Sequence, residues 1–397
     1  MFDGHQVLVV GAGIAGARAC EALRNEGYQG TVQLIGGEGH LPYDRPPLSK
    51  NALARKRDTT FPVDYAALDV DVHLDVKATG LNLDRHVVRT TVGKLAYERL
   101  VIATGADPMT LPGTGPQLSL RTVDDADRLR DELKPSAHVV LVGAGWINAE
   151  IATTARALGC EITCIEAGPA PLCKPLGEEL GRRILPWWEG IELRLGVGVV
   201  EVTDSGLLLT DGSRVDADIV VAGIGVRPAT RWLEGSGIEL DHGVVVDEYL
   251  RTSDAAVFAV GDVAARWSPR FAARLRGEHW DDARAAPAAA IATLLRGPEE
   301  STIFDPVPYF WSDQFGHKLQ FVGCRSDTDQ VVFRDGVDGQ WGAAWFDSGG
   351  QLTAHLTIDS PRLMVQARMA IEKRVMVDSQ AIRDLSTPLQ TPSPAPN

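Results

Sequence analysis

The sequence predicts an α/β protein with two parallel-sheet units and a smaller α+β unit, and three observations support this fold class. An apolar run followed by a glycine-rich turn occurs near the N-terminus and occurs again near the middle of the chain. Each copy continues into a helix-like stretch and a second apolar strand. From Pro306 onward, short strand-like pieces rich in aromatic residues alternate before one helix-like stretch. Repeated β–α–β units of this kind form parallel sheets covered by helices.

The first copy has the apolar strand Gln6–Val10 and then the glycine turn Gly11-Ala12-Gly13-Ile14-Ala15-Gly16. We expect a helix over 17–25 and a strand over 31–35. In such a turn the first glycine permits the tight bend, the second lets a pyrophosphate approach, and the third allows close helix–strand packing. The copy therefore predicts a Rossmann-like dinucleotide-binding domain, the alternative being a glycine-rich turn without a ligand.

The second copy runs from the strand 139–142 into Gly143-Ala144-Gly145-Trp146-Ile147-Asn148. We expect a helix over 149–158 and a strand over 161–165. Asn148 stands where the third glycine belongs, so we expect its side chain to crowd the helix against the strand and weaken nucleotide binding. Replacing Asn148 by glycine should then tighten binding. The alternative is a domain that no longer binds a nucleotide well.

Acidic residues after the second strand of each copy indicate which nucleotide binds. Glu166 ends the second strand of the second copy, at about the 20-residue spacing from the glycine turn at which a carboxylate binds the ribose diol. The next basic residue is Lys174, so a 2′-phosphate has no evident partner and NADH is favoured over NADPH. In the first copy Glu38 is the candidate ribose ligand, the alternative being a solvated loop acid.

Composition excludes several other classes of protein. The 397 residues include 39 basic and 53 acidic side chains, a net charge of −14, which argues against general binding to nucleic acid or an anionic membrane. The five cysteines are sparse and unclustered, which fits a reducing, cytoplasmic location and predicts no metal site. We expect no signal peptide, and the longest apolar runs are too short to span a bilayer.

Four further segments carry a family resemblance: Pro42–Lys50, Ala103–Gly105, Gly261-Asp262 and Phe310–Gln314. With them the chain, up to about Val377, resembles the FAD- and NADH-dependent ferredoxin reductases of oxygenase systems, which are pyridine nucleotide-disulfide reductase-like flavoproteins. The resemblance implies an FAD domain over 1–112 and 246–308, an NAD domain over 113–245, and a C-terminal α+β domain over 309–385. The proline-rich residues 386–397 should form a disordered tail.

The resemblance also implies roles for individual residues. Lys50 should lie beside the reactive flavin nitrogen, Trp311 beside the flavin ring on the electron exit, and Glu150 against the nicotinamide amide. These three are the predicted catalytic residues, the alternatives being a surface lysine and plain core packing for the tryptophan. The predicted cofactor-binding residues are Gly11, Gly13, Ala15, Gly16, Glu38, Arg45, Lys50, Val76, Ala103, Thr104, Gly105, Arg121, Gly143, Gly145, Trp146, Ile147, Asn148, Glu150, Glu166, Gly225, Gly261, Asp262, Glu278, His279, Trp280 and Trp311.

The cysteine positions bear on where electrons go from the flavin. No cysteine lies near Arg45–Lys50, and Cys160 and Cys164 are expected to be buried and inert, so no thiol relays electrons. We expect direct transfer to a one-electron acceptor such as an iron–sulfur protein, or to a diffusible oxidant. The resemblance implies a two-iron two-sulfur ferredoxin, whose cluster must be on the partner because this chain lacks suitable cysteines. Two basic sets offer docking sites, the alternative being solvated loop charge: Arg55, Lys56 and Arg57, and Arg266, Arg270, Arg274 and Arg276.

These expectations combine into an NADH-dependent ferredoxin reductase that acts as a monomer or homodimer. NADH passes a hydride to FAD, which releases single electrons to the ferredoxin of an oxygenase system. A first alternative is a flavin oxidase or NADH oxidase of a biosynthetic pathway with a weakened NAD site. A second is a redox-sensing interaction protein similar to apoptosis-inducing factor.

Overall fold

Two parallel sheets and one antiparallel sheet organise the computed structural model, which describes residues 6–389. The first sheet has five parallel strands, in the order Val257–Ala259, Arg99–Ile102, Gln6–Val10, Thr31–Ile35 and Val70–His73. The strands Gln6–Val10 and Arg99–Ile102 are apolar after their first residue, as expected for parallel strands buried on both faces. A strand from beyond residue 250 thus joins strands from residues 6–102, although the predicted domain bounds stay a prediction.

The second sheet has four parallel strands, in the order Glu192–Leu195, Glu161–Glu166, His138–Val142 and Ile219–Ala222. Its two central strands meet the second glycine turn at their carboxyl ends. The third large sheet is antiparallel, in the order Tyr309–Gln314, His317–Gly323, Leu352–Ile358, Trp341–Phe346 and Gln330–Asp335. The sequence prediction of two α/β units followed by a smaller α+β unit is confirmed.

Four small sheets complete the β-structure. They comprise Ala78–Asn82 with Val87–Thr90 and Gly93–Ala96, Val199–Thr203 with Gly206–Leu209 and Arg214–Asp216, Ala106–Pro108 with Val226–Pro228, and Val244–Val246 with Ala264–Ser268 and Ala273–Leu275. The α-helices are Ile14–Asn25, Asn51–Ala54, Val123–Glu132, Trp146–Ala157, Cys173–Leu176, Glu178–Arg183, Trp280–Arg296 and Pro361–Glu372. Short 3₁₀ turns are Pro46–Ser49, Leu185–Trp188, Arg231–Leu233, Gly261–Val263, Pro298–Glu300, Val337–Gly339 and Ala381–Arg383.

The helices after the glycine turns begin earlier than the sequence pattern predicts. They start at Ile14 and Trp146, directly after the N-cap residues Gly13 and Gly145. Neither N-cap offers a side chain, so the first N–H groups of each helix remain available at the turn. This early start is what lets a helix N-terminus face an anionic ligand.

The C-terminal segment packs further than predicted. Leu389 is fully buried in the core of the C-terminal domain, and the carbonyl of Thr387 accepts a hydrogen bond of 2.6 Å from Arg334. The predicted disorder is therefore wrong for 386–389, because a buried cation and an apolar core hold that stretch. The rest of the predicted tail, 390–397, lies outside the described residues.

Candidate functional site

The first glycine turn has three glycines with three different surroundings. A Cβ on Gly11, whose φ is +117°, would lie 2.1 Å from the carbonyl oxygen of Ala103. A Cβ on Gly16 would lie 1.9 Å from the carbonyl oxygen of Gly11, whereas a Cβ on Gly13 would meet no atom within 4 Å. The outer two glycines thus allow tight packing, and the middle one leaves its side of the turn open.

A cavity of about 780 Å³ opens on this turn. Its volume and its lining of backbone N–H groups at a helix N-terminus suit an extended dinucleotide. The predicted residues that line it are Gly11, Gly13, Ala15, Glu38, Arg45, Val76, Ala103, Thr104, Gly105, Arg121, Gly261 and Asp262. Residues brought together from distant parts of the sequence thus surround one space, and their contacts with a cofactor stay a prediction.

Sequence reasoning missed several polar and aromatic residues of this cavity. Lys77, Asp125, Arg231 and Trp232 also line it. Asp125 carried a local signal, since it forms a capping box with Thr122, whose N–H donates to Asp125 at 2.8 Å. Lys77 comes from a loop, and Arg231 and Trp232 from a 3₁₀ turn; their approach to the cavity depends on tertiary contacts, and no local pattern marks them.

Charged side chains in the cavity are paired with one another. Arg45 lies 2.6 Å from Glu38, whose other oxygen accepts the hydroxyl of Tyr43 at 2.5 Å. Arg121 lies 2.8 Å from Asp262, and its carbonyl accepts a 2.5 Å hydrogen bond from Arg45. Burial raises the pKa of Tyr43, which stays a neutral donor. Glu38 is therefore a fixed, paired carboxylate rather than a freely solvated loop acid.

The second glycine turn repeats this geometry with one change. Gly143 has a φ of +93°, and a Cβ there would lie 2.5 Å from the carbonyl oxygen of Gly223. Glu166 reaches the turn from the end of its strand and accepts the N–H of Ala144 and of Gly168, each at 2.7 Å. The carboxylate thus lies where a ribose ligand of this turn is expected.

Asn148 does not crowd the helix against the strand, and that prediction is wrong. Its side chain is only 1% exposed, and its amide nitrogen donates to the carbonyl oxygens of Val142 and Gly143 at 2.9 and 2.8 Å. The room comes from Gly223, because a Cβ there would lie 2.4 Å from the carboxamide. Whether nucleotide affinity is weakened stays untested.

Other predicted residues of this second site surround the turn. Ile147 is 45% exposed, and Gly225 adopts a φ of +109° in the loop that follows Gly223. The ring of Trp146 meets that of Phe310 edge-on, with centroids 4.8 Å apart. The C-terminal domain thus touches the first residue of the helix that the second glycine turn opens.

Glu150 forms a junction between three parts of the chain. Its Oε2 accepts from the Lys50 ammonium at 2.8 Å and from the Ser49 hydroxyl, and its Oε1 accepts from the Ser312 hydroxyl at 2.6 Å and from the Asp313 N–H at 3.2 Å. Glu150 is 3% exposed. A carboxylate has about four acceptor positions, so all of them are used. The predicted contact with a nicotinamide amide would need one of these donors to leave.

Lys50 is therefore not a free surface lysine. Its side chain is 21% exposed and is held between Glu150 and the carbonyl oxygen of Pro46, 3.3 Å away. The segment Pro46–Ser49 forms a 3₁₀ turn whose prolines fix the backbone before the lysine. The sequence motif thus places an ammonium at a defined point between the first and second units.

The aromatic rings of Trp280, Trp311 and Tyr309 pack together. Trp280 and Trp311 meet edge-on at 6.0 Å, and Trp311 stacks on Tyr309 at 6.0 Å. The indole N–H of Trp280 donates to Asp44 at 2.7 Å, and burial raises the pKa of that carboxyl. Both tryptophans are only partly buried, so they are not plain core residues.

The neighbouring predicted residues Glu278 and His279 have other partners. Glu278 lies 2.5 Å from Arg276, and His279 stacks on Phe310 with centroids 4.6 Å apart. Burial lowers the pKa of His279, which is therefore neutral near pH 7. Lys50, Trp280, Trp311 and this pair do not line the cavity; Trp280 bonds to Asp44, the residue before the lining residue Arg45.

The cysteines lie apart from the cavity. All five are free thiols, and none of them lines it in the described part of the chain. Cys20 and Cys164 are buried, and burial raises the pKa of both, that of Cys20 to about 12. Cys160 is only partly buried, so the prediction that it is buried is wrong, because it lies in the turn after its helix.

The two predicted docking sets differ in exposure. Arg55, Lys56 and Arg57 are exposed, and Lys56 pairs with Asp127 at 2.7 Å. Arg266 is 4% exposed and lies 3.3 Å from Asp305, so its prediction as a docking residue is wrong.

Of the other three arginines of the second set, Arg270 and Arg276 are held by local partners. Arg270 donates to the carbonyl oxygen of Glu372 at 2.9 Å, and Arg276 pairs with Glu278 at 2.5 Å. Arg274 is the exposed member of that set.

Within residues 6–389, no group of three or more potential ligands could hold a metal ion, and no helix has the length and apolar character needed to cross a membrane.

Comparisons with known proteins extend over almost the whole chain. The family model for pyridine nucleotide-disulphide oxidoreductases matches residues 5–286, and a reductase C-terminal model matches residues 309–392. The ferredoxin–NAD(+) reductase component of the p-cumate 2,3-dioxygenase system of Pseudomonas putida is 33% identical over 400 residues, covering 98% of each chain. The crystal structure of Fdr9 is 56% identical, with a TM-score of 0.95, and covers 98% of this chain and 100% of its own. The covalent putidaredoxin reductase–putidaredoxin complex is 29% identical, with a TM-score of 0.88 and 97% coverage of both chains.

Proposed function

This chain belongs to the pyridine nucleotide-disulphide oxidoreductase family, and on that premise we propose that it is an FAD-dependent NADH:ferredoxin oxidoreductase of an oxygenase system. The family resemblance drawn from the sequence is confirmed. We place the protein in the cytoplasm and assign the ferredoxin a two-iron two-sulfur cluster. One observation carries the proposal: the helix that the second glycine turn opens holds Lys50 of the first unit through Glu150, and no thiol of the described residues lines the cavity on the first glycine turn.

The residues of the first cavity fit FAD. The open side of Gly13 and the helix N-terminus at Ile14 suit a pyrophosphate, and Glu38 suits a ribose. When bound, FAD supplies the acceptance of a hydride and the release of electrons one at a time. Arg121 and Asp262, which form an ion pair in the cavity lining, would hold the middle of the cofactor.

The second turn binds and orients NADH. The N–H groups at Trp146 face the pyrophosphate, and Glu166 accepts hydrogen bonds from the ribose hydroxyls. Its carboxylate also repels a 2′-phosphate, which makes NADH the preferred substrate over NADPH.

Lys50 holds a positive charge at the junction, and Glu150 keeps that ammonium in one place through its remaining contacts. Trp280 and Trp311, which pack edge-on, would exclude water from the bound flavin ring.

The first test separates this function from its alternatives. Anaerobic mixing of the FAD-loaded protein with NADH should bleach the flavin rapidly, and reduction of cytochrome c should then depend on an added ferredoxin from a panel. Slow or absent bleaching by NADH, or rapid reoxidation of the bleached flavin by oxygen without a ferredoxin, would instead indicate an oxidase. A long-lived charge-transfer band or a dimer formed only on reduction would indicate a redox sensor. The accommodation of Asn148 removes the crowding on which the oxidase alternative depended.

The docking surface is the exposed set Arg55, Lys56 and Arg57. Reversing Arg55 and Arg57 to glutamate should slow ferredoxin reduction and flatten its salt dependence, while NADH oxidation by ferricyanide stays unchanged. The matched control reverses Arg85 and Lys94, which are exposed on a separate small sheet. Equal ferredoxin rates at low salt in both double variants would refute docking at this surface. The variant Arg274→Glu tests the remaining exposed arginine of the second set in the same way.

A further inference from the structure

The carboxamide of Asn148 ties together three segments around the second glycine turn. Its Nδ2 donates to the carbonyl oxygens of Val142 and Gly143 at 2.9 and 2.8 Å. The carbonyl oxygen of Val142 also accepts the N–H of Gly223 at 2.9 Å. One buried amide therefore joins the first turn of the helix Trp146–Ala157 to the end of the strand His138–Val142, which the backbone of Gly223 joins in turn to the neighbouring strand.

Gly223 is matched to this side chain. A Cβ at Gly223 would lie 2.4 Å from the Cγ, Nδ2 and Oδ1 atoms of Asn148. Its carbonyl oxygen also faces Gly143, where a Cβ would lie only 2.5 Å away. The loop that starts at Gly223 therefore packs on the turn and on the carboxamide at once, and a larger residue would move one of them.

The orientation of the amide is fixed by its surroundings. The reverse orientation would set Oδ1 against two carbonyl oxygens, which are acceptors only. In the observed orientation Oδ1 is buried and has no hydrogen-bond partner among the described residues. An orphaned buried acceptor opposes folding, so the two donated hydrogen bonds are what the side chain contributes.

We propose that Asn148 is a positioning residue for NADH, an inference that rests on the proposed function of the second turn. It acts through Gly143 and Gly223 and does not contact the reacting atoms. By fixing the distance between the glycine turn, the helix N-terminus and the 223–225 loop, it holds the pyrophosphate site in its binding geometry. The affinity for NADH therefore depends on Asn148, and the rate of the bound complex does not.

The variant Asn148→Asp tests the hydrogen bonds with little change of shape. It sets a carboxylate oxygen against the carbonyl oxygens of Val142 and Gly143. We expect the KM for NADH to rise about tenfold or more, with kcat changing by less than about twofold. Ferricyanide serves as the electron acceptor, so the identity of the ferredoxin does not enter.

The matched control is Asn82→Asp, on an exposed strand. The side-chain oxygen of Asn82 accepts a hydrogen bond from the N–H of Arg85 at 2.8 Å. An aspartate oxygen accepts the same hydrogen bond, so this substitution adds a charge without losing a contact. We expect unchanged KM and kcat. A merely structural role for Asn148 would lower the FAD content, and kcat with it, while leaving KM unchanged.

A double-mutant cycle tests the match with Gly223. Gly223→Ala should raise the KM for NADH in the natural background, because its Cβ meets the carboxamide. In the background of Asn148→Gly the same Cβ enters free space, so its effect should largely disappear. Asn148→Gly alone should weaken NADH binding, the opposite of what crowding would predict.

Calorimetric titration of the FAD-loaded proteins with NAD⁺ keeps this inference separate from the proposed function. If the natural protein binds NAD⁺ but its flavin is not reduced by NADH, the proposed function is overturned. The effect of Asn148 on nucleotide affinity is still measured by the NAD⁺ titration. Equal NAD⁺ affinity in the natural protein and Asn148→Asp, both with full FAD content, would overturn the inference. Additive effects in the cycle would overturn the match between Asn148 and Gly223.

Discussion

Replacing Glu150 by glutamine should loosen the edge of the C-terminal sheet. A glutamine keeps the size of the side chain but turns one carboxylate oxygen into an NH₂ group. If that group replaces Oε1 it faces the N–H of Asp313, and if it replaces Oε2 it faces the ammonium of Lys50. Either orientation sets donor against donor and removes the ion pair.

The magnitude follows from the burial of the junction. Glu150 is 3% exposed, and its ion-pair partner Lys50 is 21% exposed, so solvent replaces little of what is lost. Removing one partner of a buried ion pair costs about 3 kcal/mol. A loss of that size corresponds to about a hundredfold change in a local opening equilibrium.

Hydrogen exchange of the FAD-loaded protein measures this opening directly. The strand Tyr309–Gln314 is at the edge of its sheet, and the N–H of Asp313 points to Glu150. The peptide 309–315 should therefore exchange about a hundredfold faster in Glu150→Gln, whereas the interior strand 341–346 should not change. Glu178→Gln, in an exposed pair with Arg182, is the matched control. Equal exchange rates of 309–315 in the natural protein and Glu150→Gln would show that the contacts of Glu150 do not hold this strand.

Three further predictions concern buried charges. Arg266→Ala should lower stability by about 3 kcal/mol, because Asp305 loses its buried partner, and an unchanged urea midpoint would contradict this. Burial raises the pKa of Asp282 to about 6 from 3.8, so the folded state binds this proton more tightly than the unfolded chain. The contribution of Asp282 to stability is therefore greatest below about pH 4 and falls as the pH rises through 6, by up to about 3 kcal/mol. Asp282→Asn should remove that fall, and parallel stability–pH curves of the two proteins would be evidence against it. Arg334→Met should expose the segment after Arg383 to limited proteolysis, because it removes donors to the carbonyl oxygens of Leu385 and Thr387; resistance equal to that of the natural protein would contradict the prediction.

Local patterns predicted the parts of the site that are built locally. The roles of Gly11, Gly13 and Gly16 follow from a strand, a turn and a helix that are contiguous in sequence. Arg121 and Asp262 are remote from that turn, and only the family resemblance placed them in the same site. Their 2.8 Å ion pair depends on how the two units pack, which no single segment encodes.

Charge patterns in the sequence did not reveal which side of a strand faces solvent. In the strand Ala264–Ser268, the arginine Arg266 is 4% exposed and its neighbour Trp267 is 39% exposed. Hydrophobicity alone would reverse the two faces. The buried position carries an arginine because carboxylates from two other segments, Asp282 at 3.7 Å and Asp305 at 3.3 Å, converge on it. Such convergence is a tertiary fact, so the docking prediction failed at this residue.

The same reasoning explains why the third position of the second glycine turn was misjudged. In the first copy, a Cβ at Gly16 would lie 1.9 Å from the carbonyl oxygen of Gly11, so glycine is required there. In the second copy the corresponding carbonyl, that of Gly143, accepts a hydrogen bond from Asn148. The space for that amide lies beside Gly223, far away in the sequence. Whether a side chain is tolerated at this position thus depends on the residue pair Asn148 and Gly223. A motif that covers only the turn cannot tell whether the side chain collides with the strand or is hydrogen-bonded to it.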